Sequence, residues 1–186
     1  MRKLTWIVLA IGMASCGQGT DSGDDKLGPQ SAEARQAEIL EKEAALKSIH
    51  DFSQQTTIAK ADELVKLYRN YVSMNPTDSM SAEYLFRGAD LCIGLEDYNA
   101  SITMLDRLIK SFPNYPRISE IMLFKGFIYE NYMNSHAEAV KSYTALIDRY
   151  PNHRLAEEAR MAIENLTMSE EELMEKFKKL NEKPEA

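Results

Sequence analysis

The chain is 186 residues long, 44% apolar, 27% charged and 9% aromatic, with a formal net charge of −7. That length suits one domain with or without a tail, and the acidic balance excludes a broad electrostatic footprint for nucleic acid. Gly12, Gly17, Gly19, Gly23 and Gly28 crowd the head and leave only Gly88, Gly94 and Gly126 beyond it, so the body has few breaks and reads as helical. No apolar run reaches the roughly 18 residues of a membrane-spanning helix.

In the head, Arg2 and Lys3 precede an apolar run that starts at Leu4 and ends in the small residues Ala14 and Ser15. This is the pattern of a secretory signal over residues 1–15. Met13-Ala14-Ser15-Cys16 resembles the bacterial lipobox. The resemblance implies that Cys16 becomes the new N-terminus and carries acyl chains. Its thiol supplies the thioether, and its small neighbours admit the peptidase. Each buried methylene adds about 0.8 kcal/mol of membrane affinity, so several chains anchor firmly. An ordinary signal followed by a free cysteine is the alternative. Gly17, in place of an aspartate, implies by resemblance to Gram-negative lipoproteins that the destination is the outer membrane, and a plain tether leaves the domain at its periplasmic face rather than the cell surface. Residues 16–30 hold Asp21, Asp24 and Asp25 among glycine and serine, and read as a lipidated flexible tether. The same acids resemble an export tag of surface-displayed lipoproteins. With Cys16 acylated, Cys92 has no thiol partner within the chain.

The body begins with an Ala-, Glu- and Lys-rich segment over residues 31–52, where Ala37, Leu40, Ala44 and Ile49 share one side of a helix. That heptad is too weak to specify a coiled coil. A second helix over residues 56–74 carries Ala61, Leu64, Val65, Tyr68 and Tyr71 on its inner face. Next come Tyr84, Leu85, Gly88, Ala89, Leu91 and Cys92, then a turn at Leu95-Glu96-Asp97-Tyr98, then Ile102, Leu105, Leu108, Ile109 and Phe112. The pattern repeats with Ile121, Leu123, Phe124, Phe127, Ile128 and Tyr129, a turn over residues 132–136, and Ala139, Val140, Tyr143, Leu146, Ile147 and Tyr150. Apolar residues spaced i, i+3, i+4 and i+7 give one buried stripe per helix. Leu155, Ala159, Ala162, Ile163 and Leu166 open a further unit. Ser169 and Glu172 fit a capping box before a terminal helix whose stripe is Leu173, Met174, Phe177 and Leu180. Residues 183–186 are a tail.

Three phrases punctuate this body: Met74-Asn75-Pro76-Thr77, Phe112-Pro113-Asn114-Tyr115 and Tyr150-Pro151-Asn152-His153. Their prolines stand 37 and 38 residues apart, a period expected of a helical solenoid. The units over residues 82–115 and 119–153 resemble the tetratricopeptide repeat. Its positions fall on Leu85, Ala89, Cys92, Tyr98, Ser101, Leu105, Leu108 and Pro113 in the first. In the second they fall on Met122, Gly126, Tyr129, Ala139, Tyr143, Leu146 and Pro151, with one extra residue allowed in the turn. The resemblance implies an all-α domain over residues 31–182, with antiparallel helix pairs stacked as a short right-handed solenoid. Ala89 with Ser101, and Gly126 with Ala139, are expected to let paired helices approach closely. A plain antiparallel bundle is the rival architecture.

For chemistry, the sequence offers little. His50, His136 and His153 are isolated, no zinc spacing occurs, and there is no phosphate loop, nucleophile elbow or dinucleotide fingerprint. No catalytic residue, cofactor or metal is expected, and Cys92 is expected to pack inward as an inert thiol. Function is therefore expected in a surface. By the same resemblance, Phe86, Asp90, Ile93, Leu123, Phe127 and Glu130 face a concave groove. The alternative is that the apolar ones only pack between helices. Lysine and asparagine are absent from these positions, which disfavours acidic chaperone tails and suits an extended apolar or basic peptide. Leu-Ile-Lys-Ser-Phe-Pro at 108–113 and Leu-Ile-Asp-Arg-Tyr-Pro at 146–151 are similar to two envelope families. One is the outer-membrane lipoprotein of the β-barrel assembly machinery, the other the Tol-Pal-associated coordinator of cell division. The resemblance implies a membrane-anchored adaptor for another envelope protein. A self-associating structural subunit is the alternative, and a hydrolase of envelope polymers a third.

Overall fold

The computed structural model describes residues 31–49 and 55–181. The expected signal, the tether with Cys16, and the tail lie outside them. Among the described residues the chain forms eight α-helices: α1 (Ala32–Lys47), α2 (Gln55–Met74), α3 (Ser79–Gly94), α4 (Tyr98–Ser111), α5 (Ile118–Asn131), α6 (His136–Arg149), α7 (Arg154–Thr167) and α8 (Glu170–Asn181). Consecutive helices from α1 to α7 pack on one another, and α5 also touches α7. The pairs α1/α2, α3/α4 and α5/α6 therefore stack as a tetratricopeptide-type solenoid, with α7 beginning a fourth unit. None of these helices is long and apolar enough to cross a membrane.

Local chemistry sets the punctuation. In each proline phrase the amide two residues after the proline bonds back across it: Asp78 to Asn75, Tyr115 to Phe112 and His153 to Tyr150, at 3.0–3.2 Å. Proline at the second position of such a turn matches its fixed φ. The turns inside the pairs are also related. Asp97 N–H bonds to the Cys92 carbonyl and Ser135 N–H to the Tyr129 carbonyl, both at 2.8 Å, so the second turn spans one residue more. Each places a residue in the left-handed region just before the next helix, Glu96 at φ 59° and Asn134 at φ 48°. Side chains then cap the helices that follow: Asp78 accepts from Met80 N–H, Asp97 from Ala100 N–H and His153 Nδ1 from Leu155 N–H. The capping box is present at α8, where Ser169 N–H bonds Glu172 Oε2 at 2.8 Å and Glu172 N–H bonds Ser169 Oγ at 3.3 Å.

The apolar stripes meet in one continuous core. Leu64, Tyr68, Tyr71, Tyr84, Leu85, Leu105, Leu108, Ile121, Ile128 and Leu146 are all buried in it. Tyr84 stacks on Tyr68 with centroids 5.1 Å apart and meets the edge of Tyr71 at 4.9 Å, which joins α2 to α3. Arginines also tie successive units: Arg107 donates to the Val72 carbonyl (3.2 Å) and Arg149 to the Pro113 carbonyl (2.8 Å). Each satisfies an acceptor near the C-terminal end of an earlier helix, where such groups lack partners.

The Ala37, Leu40 and Ala44 side of α1 faces outward, with Leu40 58% exposed, while Arg35, Ile39, Glu43 and Leu46 are buried. Polar pairing decides this: Arg35 donates to Asn70 Oδ1, Gln36 to Tyr71 Oη, and Glu43 accepts from the Tyr68 hydroxyl. Gly126 meets α6 through Tyr143: a Cβ there would lie 2.3–2.8 Å from the ring, so its hydrogen seats an aromatic side chain. Gly88 does the same for Met104, whose Cε would be 2.2 Å from a Cβ there. One expectation is corrected: Met174 is 73% exposed and off the inner stripe expected of α8. It sits about 100° round the helix from its neighbour at 173; the side chains of 173, 177 and 180 lie outside the description.

Candidate protein-binding surface

The predicted groove residues lie on α3 and α5, and they line three recesses. Leu123, Phe127 and Glu130 of α5 line a recess of ≈ 530 Å³ between α5 and α7. Phe86 and Asp90 of α3 line a second recess of ≈ 390 Å³ against α1 and α2. Ile93 lines a third, beside α2, which it shares with Asp90. The exposures are graded accordingly. Phe127 is 42% exposed, Asp90 is open to solvent, and Phe86, Ile93, Leu123 and Glu130 are half-buried.

The α5–α7 recess is largely apolar with a charged edge. Leu123, Phe124 and Phe127 come from one face of α5, Leu155 and Ala162 from α7, and the Tyr143 ring from α6 closes the floor. Glu120, Glu130 and Glu158 stand around it, and among the described residues no cationic side chain lines it. Glu120 pairs with Arg117 at 2.8 Å and Glu158 with Arg154, each on its own helix. Glu130 instead accepts a 2.6 Å hydrogen bond from the Tyr143 hydroxyl. Burial, with that bond and the carboxylate charge, holds the Tyr143 phenol well above its ordinary pKa. Glu130 makes no ion pair among the described residues.

An aromatic ladder leads away from this recess. Phe124 stacks with Phe127 at 6.4 Å, Phe127 meets the Tyr132 edge at 5.9 Å, and Tyr132 stacks on Tyr98 at 5.1 Å. Tyr132 is 44% exposed. Two open aromatic rings in contact form an apolar surface of the kind that marks interaction sites.

The α1–α3 recess is built differently. Glu43 is buried, receives the Tyr68 hydroxyl at 2.6 Å, and holds the Arg87 guanidinium through both oxygens at 2.8 and 3.0 Å. Arg87 Nε reaches Glu83 at 2.8 Å, and Glu83 accepts the Tyr115 hydroxyl at 2.7 Å. Burial by itself would raise the Glu83 pKa. The bonds from Tyr115 and Arg87 and the Arg87 charge outweigh it, so the carboxyl lies below its ordinary range. Burial pushes the Tyr115 phenol up to about 12, and the bond to Glu83 adds to it. This chain of polar groups links α1, α2 and α3 to the α4–α5 connection. Phe86 lies under the Arg117 guanidinium, 4.4 Å from its centroid, which uses one face of that ring internally.

Cys92 is buried, and burial pushes its thiol up to about 11. Sequence reasoning did not pick out Glu43, Arg87, Phe124, Tyr132, Leu155 or Glu158 as surface-forming residues. Phe124 carried a usable signal, lying one residue from Leu123 on the same helical face; Leu155 and Glu158 come from another helix and had none.

A tetratricopeptide-repeat family model matches residues 125–153, which cover the end of α5, the turn and all of α6. No curated protein matches the chain. The chain thus has tetratricopeptide-repeat character in an all-α stack of helix pairs. Repeats of this kind generally hold protein partners and are typically non-catalytic modules, so the coarse function is that of a protein-interaction scaffold.

Proposed function

We propose that the protein is a lipid-anchored adaptor of the bacterial envelope. Cys16 is the acylated residue, the outer membrane is the site of anchorage, and the repeat domain holds another envelope protein on the periplasmic side. The observation that carries the binding role is the recess between α5 and α7, with Phe127 42% exposed at its mouth. A large, open aromatic side chain in a rigid concave setting is the kind of anchor on which binding energy concentrates. The anchoring role rests on the lipobox-like Met13-Ala14-Ser15-Cys16. The similarity of the proline phrases to the β-barrel assembly lipoprotein and the Tol-Pal coordinator makes those two machineries the first places to look for the partner.

The test is a crosslinked pull-down of the full-length acylated protein from isolated envelopes, with partners identified by mass spectrometry. Recovery of a specific envelope partner that is lost in a folded Phe127→Ser variant supports the reading. Recovery of the lipoprotein alone, with acyl chains confirmed, removes the adaptor role.

A second reading is favoured by α1. Its outward Ala37, Leu40 and Ala44 side is apolar and uncovered, with Leu40 58% exposed, so self-association through α1 is the rival role. Leu40→Lys should then dissolve the assembly and leave the α5–α7 recess unaffected.

A further inference from the structure

The α5–α7 recess carries an assignment finer than partner binding, and it rests on the scaffold reading above. We infer that its occupant is a peptide segment of the partner in which a bulky apolar side chain is flanked by lysine or arginine.

Phe124, Phe127 and Leu155 line a recess of ≈ 530 Å³, a size at which concave sites take up ligand groups. Its edge is charged. Glu120, Glu130 and Glu158 approach from two helices, and among the described residues no lysine or arginine lines the recess. Glu130 has no cationic partner among the described residues and is balanced only by the neutral Tyr143 hydroxyl, 2.6 Å away. The other two carboxylates are paired along their own helices. Glu120 holds Arg117, with both side chains about half exposed, and Glu158 holds Arg154, whose side chain is 80% exposed. Pairs in that setting contribute only about 0–1 kcal/mol, so an incoming cation exchanges for them at little cost. The recess therefore presents three acceptors for cationic groups around an apolar floor. A phosphate or an anionic lipid surface would be repelled by the same carboxylates, and a purely apolar ligand would leave Glu130 desolvated without a counter-charge.

The experiment uses the full chain on a positional-scanning array of synthetic decapeptides, followed by fluorescence polarisation of the best peptide. The expected result is enrichment of leucine or phenylalanine next to lysine or arginine. Affinity should fall about tenfold in Phe127→Ser and in Glu158→Lys, and should weaken steeply with added salt. Glu158→Lys is the safer probe of charge, because Glu158 contacts the rest of the protein through an exposed pair on its own helix. Thermal melting confirms that each variant is folded. Enrichment of acidic or uncharged peptides whose binding still needs Phe127 overturns the basic occupant and leaves the scaffold reading standing. Basic peptides bound equally well by both folded variants overturn the site. A self-association that Phe127→Ser abolishes assigns the recess to a second copy and overturns the inference. No binding by any peptide counts against it as well, and the envelope pull-down then decides the scaffold reading separately.

Discussion

Gly126→Ala isolates one contact on which the third helix pair depends. Alanine is the better helix former by about 1 kcal/mol, so in an open helix the change would stabilise. At Gly126, however, a Cβ would stand 2.3, 2.5 and 2.8 Å from three atoms of the Tyr143 ring. That ring is only 2% exposed, and its hydroxyl is tied to Glu130 at 2.6 Å, so it cannot swing aside without losing the bond. Overpacking of a filled core costs about 1–3 kcal/mol, and weakening a hydrogen bond to a carboxylate that still reaches water adds about 1 kcal/mol. Set against the propensity gain, the net loss is about 2 kcal/mol. The two other glycines of the body are internal controls. Gly88→Ala meets the flexible end of Met104, which can move, and should cost less. Gly94→Ala meets nothing within 4 Å and should be neutral or stabilising by up to about 1 kcal/mol. Urea denaturation followed by circular dichroism gives the order directly, as a shift in midpoint at constant slope. A Gly126→Ala protein as stable as its parent, or less harmed than Gly94→Ala, would refute the reasoning.

Other consequences follow from the same geometry. Glu43→Ala strands the buried Tyr68 hydroxyl and removes one of the two carboxylates that hold Arg87, which keeps Glu83, is 37% exposed and can turn to water. The expected loss is about 2 kcal/mol, and a urea midpoint unchanged from the parent's would contradict it. Glu96→Gly relieves a left-handed residue at φ 59° and should stabilise by about 0.5–1 kcal/mol, measured by the same melts; a lower midpoint would count against it. Cys92, with its thiol raised to about 11 by burial, should react with iodoacetamide at mildly alkaline pH far more slowly in the folded protein than in urea. Equal rates would show the thiol to be accessible. Burial raises the Tyr84 and Tyr115 phenols from 10.0 to about 12 in the folded protein. A raised folded-state value favours the protonated phenol, so this contribution is whole below pH 10 and is lost as the pH climbs from there toward 12. Urea midpoints that stay flat across that interval would exclude it.

The candidate site divides into legible and illegible parts for a simple reason. Leu123 and Phe127 could be placed on an apolar stripe of α5 because helical phase is local, and in a groove through the resemblance to the repeat. Their company could not. Leu155 and Glu158 belong to α7, and only stacking brings them across from α5. Stacking also splits the six predicted positions among three recesses, because residues of α3 and α5 pack against different neighbours. Phe86 turns toward α1 and lies under Arg117, so it does not continue the α5 surface.

What the sequence by itself determined is the part written in short range. The 3.6-residue apolar period marked the helices, proline and its neighbours marked the turns, and the spacing of the prolines announced a stack of helix pairs. Even the extra residue in the second inner turn was readable before Ser135 was seen to close it on Tyr129. Tertiary structure alone decided which side of α1 is buried, because Arg35, Gln36 and Glu43 find partners on α2 and α3 that outweigh the apolar line of Ala37, Leu40 and Ala44. It alone set the task of Gly126, which depends on where the Tyr143 ring lands, and the isolation of Glu130 at the edge of an apolar recess. Helical phase is a property of neighbours along the chain; burial, pairing and charge balance are properties of neighbours in space, and those exist only once the pairs have stacked.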